Sequence, residues 1–558
     1  MSLIGKKWVI QNQDADLGII AKLHKNRGLD TEEKKKSFFE DGLSSLHDPY
    51  LMKGMDISVD RIKKAVERNE KIMIFGDYDV DGITSTVILY DFLKRIGADV
   101  YYEIPNREND GYGLKDYFIE RFKEDGVNLL ITVDCGVANA TEVNLAQNLG
   151  IDTIITDHHD IPNELPPAYS IINPKQEDCN YPNKDLSGSG VAYKLVSALA
   201  PYYFDGDLAS EYLLKQLGIA TLGLVADCMP LTGENRTLTK IGLKSLEEGK
   251  NPGITALLES AGVSNDKITS TTIGFYIGPR INAAGRLDTA KHAFELLLGD
   301  IEKVSTLSTL NIKRQKIVKE FVENAVSQVS SSDGLPNIVI VENTKWHVGT
   351  LGLVAGKICD IFNRPAIAMQ ERESEYIASC RSLNDFDITS FLRKVAGDLF
   401  SAFGGHKLAG GFTLPKHNYE EFIKRVNEAG KNAFDSNDFQ STLEIDCEIS
   451  SDELCYEISG HINKMEPFGN GNPEPTLVLK NTKILNIKPV GKTGEHLQFP
   501  VKYGDQQIQA IAFRFGEHLD KIDQTKEYDI AFNLEVNEWK GYKKLQMRVV
   551  DLKQSNTN

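Results

Sequence analysis

The chain has no long apolar run, no paired cysteines and no excess of positive charge. No stretch of about 18 consecutive apolar residues occurs, so no membrane-spanning helix is expected. The opening residues, MSLIGKKWVIQNQDADLG, lack the apolar centre of a secretory signal. Seven cysteines (135, 179, 228, 359, 380, 447 and 455) are scattered without a CxxC pair. An odd, unpatterned set reads as reduced thiols in a cytoplasmic protein. The net charge of −17 argues against a protein that coats nucleic acid non-specifically. It leaves room for a local basic channel, because acids gathered around metal ions are partly neutralised by them. Internal repeats and low-complexity tracts are absent as well.

What is present is acid in a repeated setting. Asp77, Asp79 and Asp81 alternate in IMIFGDYDVDG, after an apolar run (72–75) that reads as a buried strand. Gly76 and Gly82 bracket these acids and predict a tight turn. NLLITVDCG ends a second run at Asp134, and DTIITDHHD ends a third at Asp157, His158 and His159. In a parallel α/β sheet such tips lie along one edge, where these folds bind ligands. Three close carboxylates stay ionised only around something divalent and positive. Asp77, Asp79, Asp81, Asp134 and His158 are therefore the candidate metal ligands. Carboxylate with imidazole and no thiolate suits Mn²⁺ or Mg²⁺. So many acids suit two ions sharing a carboxylate, an arrangement fitted to in-line phosphate chemistry. A solvated acidic loop would leave unexplained why each acid follows an apolar run. His159 could ligate, position a phosphate, donate a proton to a leaving oxygen, or only support its neighbour.

The organisation is that of an α/β multidomain protein. Strand-like and helix-like runs alternate over 57–231, which predicts a parallel sheet with helices on both faces. Residues 1–56 read as a segment packed on that domain. SVDRIKKAVERNE predicts a helix capped by Ser58, with Arg61 and Lys63 facing out. Residues 232–300 read as mostly helical. Apolar positions 301, 304, 307, 310, 318, 321, 322, 325 and 329 have helical spacing. A helix over 301–331 would run roughly 42 Å at ~1.5 Å per residue, enough to bridge two domains. Residues 335–430 alternate again, as a smaller α/β domain. Residues 441–552 change to β-type alternation, which predicts a small barrel of the OB type.

Other segments suit anions. Ser187, Gly188, Ser189 and Gly190 precede a helix expected from about Val191. Its free N–H groups favour an anion, although a plain serine cap fits equally well. Arg280, Asn282 and Arg286 stand in GPRINAAGR, read as a short loop able to grip phosphate, with structural ion pairing as the rival. Gly404, Gly405, His406, Gly410 and Gly411 allow close backbone approach to a ligand, and His406 could face the cleft. Lys480, Lys483, Lys488, Lys492 and Lys502 crowd one region of the last domain, where Phe499, Phe513 and Trp539 are available for stacking. Most of these aromatics read as core.

The string TDHHD with upstream GDYDVDG and VDCG resembles the DHH phosphoesterase superfamily. LSGSGVAYKL, LGLVADCMPL, GPRINAAGRLD, FGGHKLAGGFTL and MEPFGNGNPEP, in that order, resemble the RecJ branch of single-strand-specific exonucleases and its DHHA1 and OB domains. The resemblance spans about residues 46 to 552. It implies a 5′-to-3′ exonuclease on single-stranded DNA, acting in repair and recombination with two divalent cations. It adds Asp227 as a ligand and favours Asp134 as the bridging acid. It also implies Arg280 and Asn282 near the scissile phosphate, a catalytic His159, and Ser379, Arg381 and Arg107 around a terminal phosphate. By the same resemblance, a single-strand-binding protein and a RecQ-type helicase are partners. Phe75 stands where some DHH relatives carry histidine, which leaves one ion to Asp77 or water. Cys135 and Cys228 each follow a site aspartate and read as small buried packing residues. An oligonucleotide or cyclic-dinucleotide phosphodiesterase is the alternative, opposed by the OB-like residues. A scaffold with a dead DHH domain is opposed by the intact acids and histidines.

Overall fold

A computed structural model describes residues 2–39, 42–264, 267–331, 334–383, 386–434, 441–539 and 541–555. The chain forms two compact units, Gly42–Ser436 and a second made of Met1–Asp41 with Asn437–Asn558. No helix among the described residues is long and apolar enough to cross a membrane.

The first unit begins with a five-stranded, wholly parallel sheet. Its order is Val100–Glu103, Ile72–Gly76, Leu129–Val133, Asp152–Thr156 and Ser170–Ile172. Ile72–Gly76 and Leu129–Val133 are buried at every position, as strands covered on both faces must be. One face carries Met55–Glu67, Val80–Arg95 and Gly188–Leu199, packed through Ile62, Val87, Phe92 and Leu195. The other carries Asp116–Glu124 and Ala140–Asn148, packed through Phe118, Phe122 and Val143. Phe75 lies in this second core, edge-on to Phe118.

Met55–Glu67 starts at Gly54, so Ser58 is a buried interior residue rather than a cap. Arg61 is also buried, against the expectation of an outward side chain, because Glu70 and Asp152 both pair with it at 2.7 Å. Lys63 lies over the Tyr202 ring.

Short helices fill the region after Asp227, ending in Gly278–Leu287 and Lys291–Leu297. The long helix Lys303–Ser330 follows. Leu307 near its start belongs to the first core, while Ala325 and Val329 near its end belong to the core of the next domain. That domain has a mixed sheet in the order Ala402–His406, Ala409–Pro415, Glu375–Arg381, Ala366–Glu371, Val339–Asn343. Only the last pair is parallel.

In the second unit, Leu477–Ile484 pairs with Glu527–Trp539, then Tyr542–Gln554, Gln506–Ala512 and His496–Tyr503 follow, and the last pairs back to the first. This five-strand circuit is of the OB type. Of the N-terminal segment, residues 1–41 fall in this unit, whereas 42–56 fall in the first, where Met52 and Met55 enter the core of the α/β domain. Lys7–Asn12 pairs in parallel with Thr442–Glu448, and Arg27 forms a buried ion pair with Asp446 at 2.9 Å. Backbone pairing over so many intervening residues leaves no local trace in sequence. Phe499 is core and Phe513 is half exposed; the Trp539 side chain lies outside the described residues. Lys480, Lys483, Lys488, Lys492 and Lys502 are exposed, with Lys480 paired to Glu448.

Candidate metal centre and phosphate pocket

The three parallel strand tips deliver the acids together. Asp77 follows Ile72–Gly76 directly, but Asp79 and Asp81 are not on a free turn. Asp79 caps the helix Val80–Arg95 and accepts from the N–H groups of Asp81 and Gly82 at 2.9 and 3.1 Å, and Asp81 sits in the first helical turn. Gly82 is required because a Cβ there would come within 2.5 Å of the Asp77 carbonyl oxygen. Asp134 ends its strand in the left-handed region, φ 59°, a conformation uncommon outside glycine and concentrated at functional sites. Asp227 closes the C-terminus of Gly206–Ala226.

The imidazole of His158 lies among these acids. Its Nε2 is 3.1 Å from Asp134, 3.6 Å from Asp227 and 3.8 Å from Asp81. Two non-overlapping sets, Asp77/Asp79/Asp134 and Asp81/His158/Asp227, each present three donor atoms within 4.8 Å of one another. Asp134 and His158 also form such a set with His159. Burial, then the charge of Asp79, pushes Asp77 up to about 8. Burial, then Asp81, pushes Asp227 up to about 8 and raises Asp79 and Asp134 as well. Burial lowers His158, keeping it a neutral donor.

The residues present fit divalent cations. Asp77 Oδ1 and Asp134 Oδ1 are buried acceptors without a hydrogen-bond partner. Such atoms are costly unless something positive meets them. Asp134 Oδ1 is close to His158 Nε2 but not in hydrogen-bonding geometry. No thiolate competes: Cys135 is buried against the Phe75 carbonyl. Cys228, expected to be buried, is exposed in a left-handed turn after Asp227.

His159 stands beside the acids and is held by Asp157, whose role sequence reasoning missed. Asp157 Oδ1 accepts from His158 N, His159 N and His159 Nδ1 at 2.7, 3.1 and 2.7 Å, and Oδ2 accepts from Val137 N at 3.0 Å. Burial alone would lower His159, but the hydrogen bond and charge of Asp157 outweigh it and raise the imidazole to about 9. The His406 ring stacks over His159 with centroids 6.2 Å apart, bringing the exposed Gly405–His406 tip of the second domain to the site.

Ser187 and Gly188 do not offer an open anion site. Ser187 caps its helix, and the N–H groups of Gly188 and Ser189 are taken by the Asp81 carboxylate at 2.5 and 3.0 Å. Arg280, Asn282 and Arg286 lie on the helix Gly278–Leu287 rather than on a loop. Positions two apart on a helix do not share a face, so Arg280 is separated from Asn282. Its Nη1 donates to the Tyr276 carbonyl at 2.8 Å, and its Nε is a buried donor without a partner.

Arg286 instead joins a cationic pocket. Burial, then the charges of Arg107, Arg314 and Arg381, lowers it to about 9. Arg286 donates to the Gly349 carbonyl at 2.8 Å, Arg381 to Ser379 Oγ at 3.1 Å, and Arg107 lies over the Tyr78 ring. A cavity of about 250 Å³ opens beside Arg107, Arg286 and Gly349. Arg107 and Arg286 line it together with Glu108 and Asp288, and an anion there would relieve the repulsion that Arg107, Arg314 and Arg381 exert on Arg286. Arg314, inside the long helix, carried no signal in the sequence.

Family models for the DHH family N-terminal domain, the DHHA1 domain and the RecJ OB domain match residues 71–224, 335–432 and 445–551. The single-stranded-DNA-specific exonuclease RecJ of Bacillus subtilis (strain 168) is 34% identical over 563 residues, covering 98% of this chain and 70% of the relative. RecJ of Salmonella typhimurium is 33% identical, covering 90% of each chain. The chain belongs to the RecJ family. Among solved structures, RecJ of Thermus thermophilus in complex with Mn²⁺ superposes with a TM-score of 0.81 at 28% identity, covering 96% of this chain and 76% of that one. An exonuclease RecJ bound to manganese gives a TM-score of 0.60 at 30% identity, covering 71% of this chain and 97% of that one. In this RecJ-family chain Asp77, Asp79, Asp81, Asp134 and His158 fall inside the DHH match and Asp227 lies just beyond its end, while Ser379, Arg381, Gly405 and His406 fall inside the DHHA1 match.

Proposed function

We propose that this chain is a metal-dependent exonuclease that degrades single-stranded DNA from its 5′ end, in DNA repair and recombination. The observation that carries the reading is the pair of acid sets at one sheet edge, with a cavity lined by Arg107 and Arg286 in the same unit. Residues 57–231 would carry the chemistry, 232–300 and the helix 301–331 would bear and connect the phosphate-gripping side chains, 335–430 would hold the strand's end, and 441–552 would guide the strand. A single-strand-binding protein and a RecQ-type helicase would supply that strand.

Asp77, Asp79, Asp81, Asp134, His158 and Asp227 would hold two divalent cations, Mn²⁺ or Mg²⁺. When bound, such ions supply an activated water and spread the charge that develops on phosphorus. The chain's own groups do the rest. Arg107, Arg286, Ser379 and Arg381 take the terminal phosphate, which sets where the next phosphodiester lies. Arg280 steadies the phosphate being cut through its free Nε, with Asn282 on the adjoining face. His159, protonated and held by Asp157, gives its proton to the leaving 3′ oxygen. His406 covers that imidazole and limits access of solvent to it. Gly188 lets Asp134 and Asp81 approach, and Ser187 fixes the helix that holds Asp81.

The test is degradation of 5′- and 3′-labelled single and double strands with Mn²⁺, with chelator, and by Asp134→Ala. Immediate release of a 5′ label as mononucleotide, metal dependence, sparing of duplex and an inert variant are expected. Preference for a dinucleotide over a long strand, or inertness with Mn²⁺ on every substrate, would overturn the reading.

A further inference from the structure

A helix interior disfavours glycine, because glycine has the most backbone freedom to lose. The helix Val348–Phe362 nevertheless carries three, Gly349, Gly352 and Gly356. They differ in what a side chain would meet. A Cβ on Gly349 would fall 2.4 Å from the carbonyl oxygen of Arg286, so this glycine lets the helix lie against the backbone of Gly278–Leu287. Its own carbonyl accepts from Arg286 Nη1 at 2.8 Å, and it lines the cavity beside Arg107 and Arg286. About one turn on, a Cβ on Gly352 would fall 2.6 Å from Arg381 Nη2, 3.3 Å from Arg381 Cζ and 3.2 Å from Ser379 Oγ. About one further turn on, a Cβ on Gly356 would lie 3.9 Å from Arg381 Cγ, an ordinary contact.

The guanidinium of Arg381 is thus placed from two sides. Its Nη1 donates to Ser379 Oγ at 3.1 Å and to the Cys380 carbonyl at 2.7 Å, both on its own strand, Glu375–Arg381. Its Nη2 lies in the space that the missing side chain of Gly352 leaves. An added methyl there meets the tip of a long side chain and a hydroxyl, not backbone, so the fold can absorb it. What must move is the guanidinium, off its two acceptors, and the Ser379 hydroxyl with it. The cost therefore falls on how an anion is gripped, because a planar fork of donors recognises phosphate through its fixed geometry. The helix seated on Arg286 through Gly349 also makes room for Arg381 at Gly352, and so fixes the spacing of two arginines from two domains.

We propose that Gly352 is a positioning residue for the terminal phosphate: the space it leaves holds the Arg381 guanidinium against Ser379 and sets how strongly a phosphorylated 5′ end is preferred to a hydroxyl end. The inference deepens the proposed function and rests on it for the ligand. It is tested by binding on the full chain, with Ca²⁺ in place of the activating ion, to a fluorescent single strand ending in a 5′ phosphate and to the same strand ending in a 5′ hydroxyl. Wild-type protein is expected to hold the phosphorylated strand more tightly. Gly352→Ala is expected to weaken binding of that strand about tenfold, as for one lost charge-assisted hydrogen bond, with affinity for the hydroxyl strand kept and a melting temperature no lower than wild type. Gly356→Ala, on the same helix, is expected to keep the full preference. In an Arg381→Ala background Gly352→Ala is expected to change nothing further, because its effect runs through that guanidinium. Wild-type preference in Gly352→Ala would overturn the proposal. So would equal losses in Gly352→Ala and Gly356→Ala, or a further loss from Gly352→Ala once Arg381 is alanine. A wild-type chain indifferent to the end group would overturn this proposal together with the terminal-phosphate pocket. A chain that shows the preference, loses it in Gly352→Ala and yet cuts no strand would support the positioning role and overturn the nuclease reading instead.

Discussion

The backbone N–H of Gly188 donates to Oδ2 of Asp81 at 2.5 Å, and that of Ser189 donates to Oδ1 at 3.0 Å. The positive end of a helix thus holds an acid of the site and not an outside phosphate. Glycine is needed for a second reason. A Cβ at position 188 would fall 2.6 Å from Asp134 Cβ and 2.7 Å from its Oδ1. Gly188→Ala must therefore displace Asp134, the acid shared by two donor sets. We expect nuclease activity to fall about 10²-fold or more, with a loss of stability of about 1–3 kcal/mol. Calorimetric Mn²⁺ titration beside a thermal melt checks this, and wild-type metal affinity would refute it.

Asp157 holds His159 by one carboxylate oxygen that also accepts two backbone N–H groups. Asp157→Asn keeps the size of the side chain and removes its charge, so the imidazole loses the partner that keeps it protonated. Partners of this kind typically affect activity 10- to 100-fold. A fall of that size in kcat is expected, with KM for the strand little changed. A variant affected in KM alone would show that Asp157 shapes the strand site and not the histidine.

The acid cluster should be unstable when empty. Burial and the charge of Asp79 oppose ionisation of Asp77, and its Oδ1 has no partner. Asp77→Asn removes the cost of holding an ionisable group there. The metal-free melting temperature is expected to rise by a few degrees, about what 1 kcal/mol gives in a domain of this size. The rise that Mn²⁺ causes in wild type should shrink, and activity should be lost. A lower metal-free melting temperature in the variant would refute this account.

How much of this was readable in sequence depends on how local each cause is. The strand-tip acids were visible because an apolar run and the acid that ends it are neighbours in the chain. Asp227 follows a helix, so only the family resemblance supplied it. GPRINAAGR reads as a loop for its glycines and proline, yet Pro279 sits in the first turn, where its missing N–H is not needed. Arg61 reads as a surface residue because its partners, Glu70 and Asp152, come from other elements. Asp157, Arg314 and the pairing of Lys7–Asn12 with Thr442–Glu448 exist only once the chain is folded.

The N-terminal segment should detach from the OB-type unit in acid. His24, on the helix Ile19–Asn26, and His461, on Tyr456–Lys464, approach Nε2 to Nε2 at 2.8 Å, with the Phe39 ring beside both. An N–H···N hydrogen bond needs one unprotonated nitrogen, so double protonation breaks it. Burial, then His461, Lys35 and Arg27, lowers His24 from 6.5 to about 4, against the opposing charge of Glu32. Burial, then Lys464, lowers His461. Both folded-state values lie below those of the unfolded chain, so the unfolded chain binds more protons as pH falls. The contribution is fully present above about pH 6.5 and is lost as pH falls toward about 4. Hydrogen exchange over Ile19–Asn26 should therefore quicken between pH 7 and 5, after correction for intrinsic rates, while the core strand Ile72–Gly76 stays protected. His24→Leu should flatten that dependence. Equal protection at pH 7 and 5 in wild type would show that the imidazole pair does not hold the segment, leaving Arg27 and Asp446 to do so, since an arginine pair keeps its charge across that range.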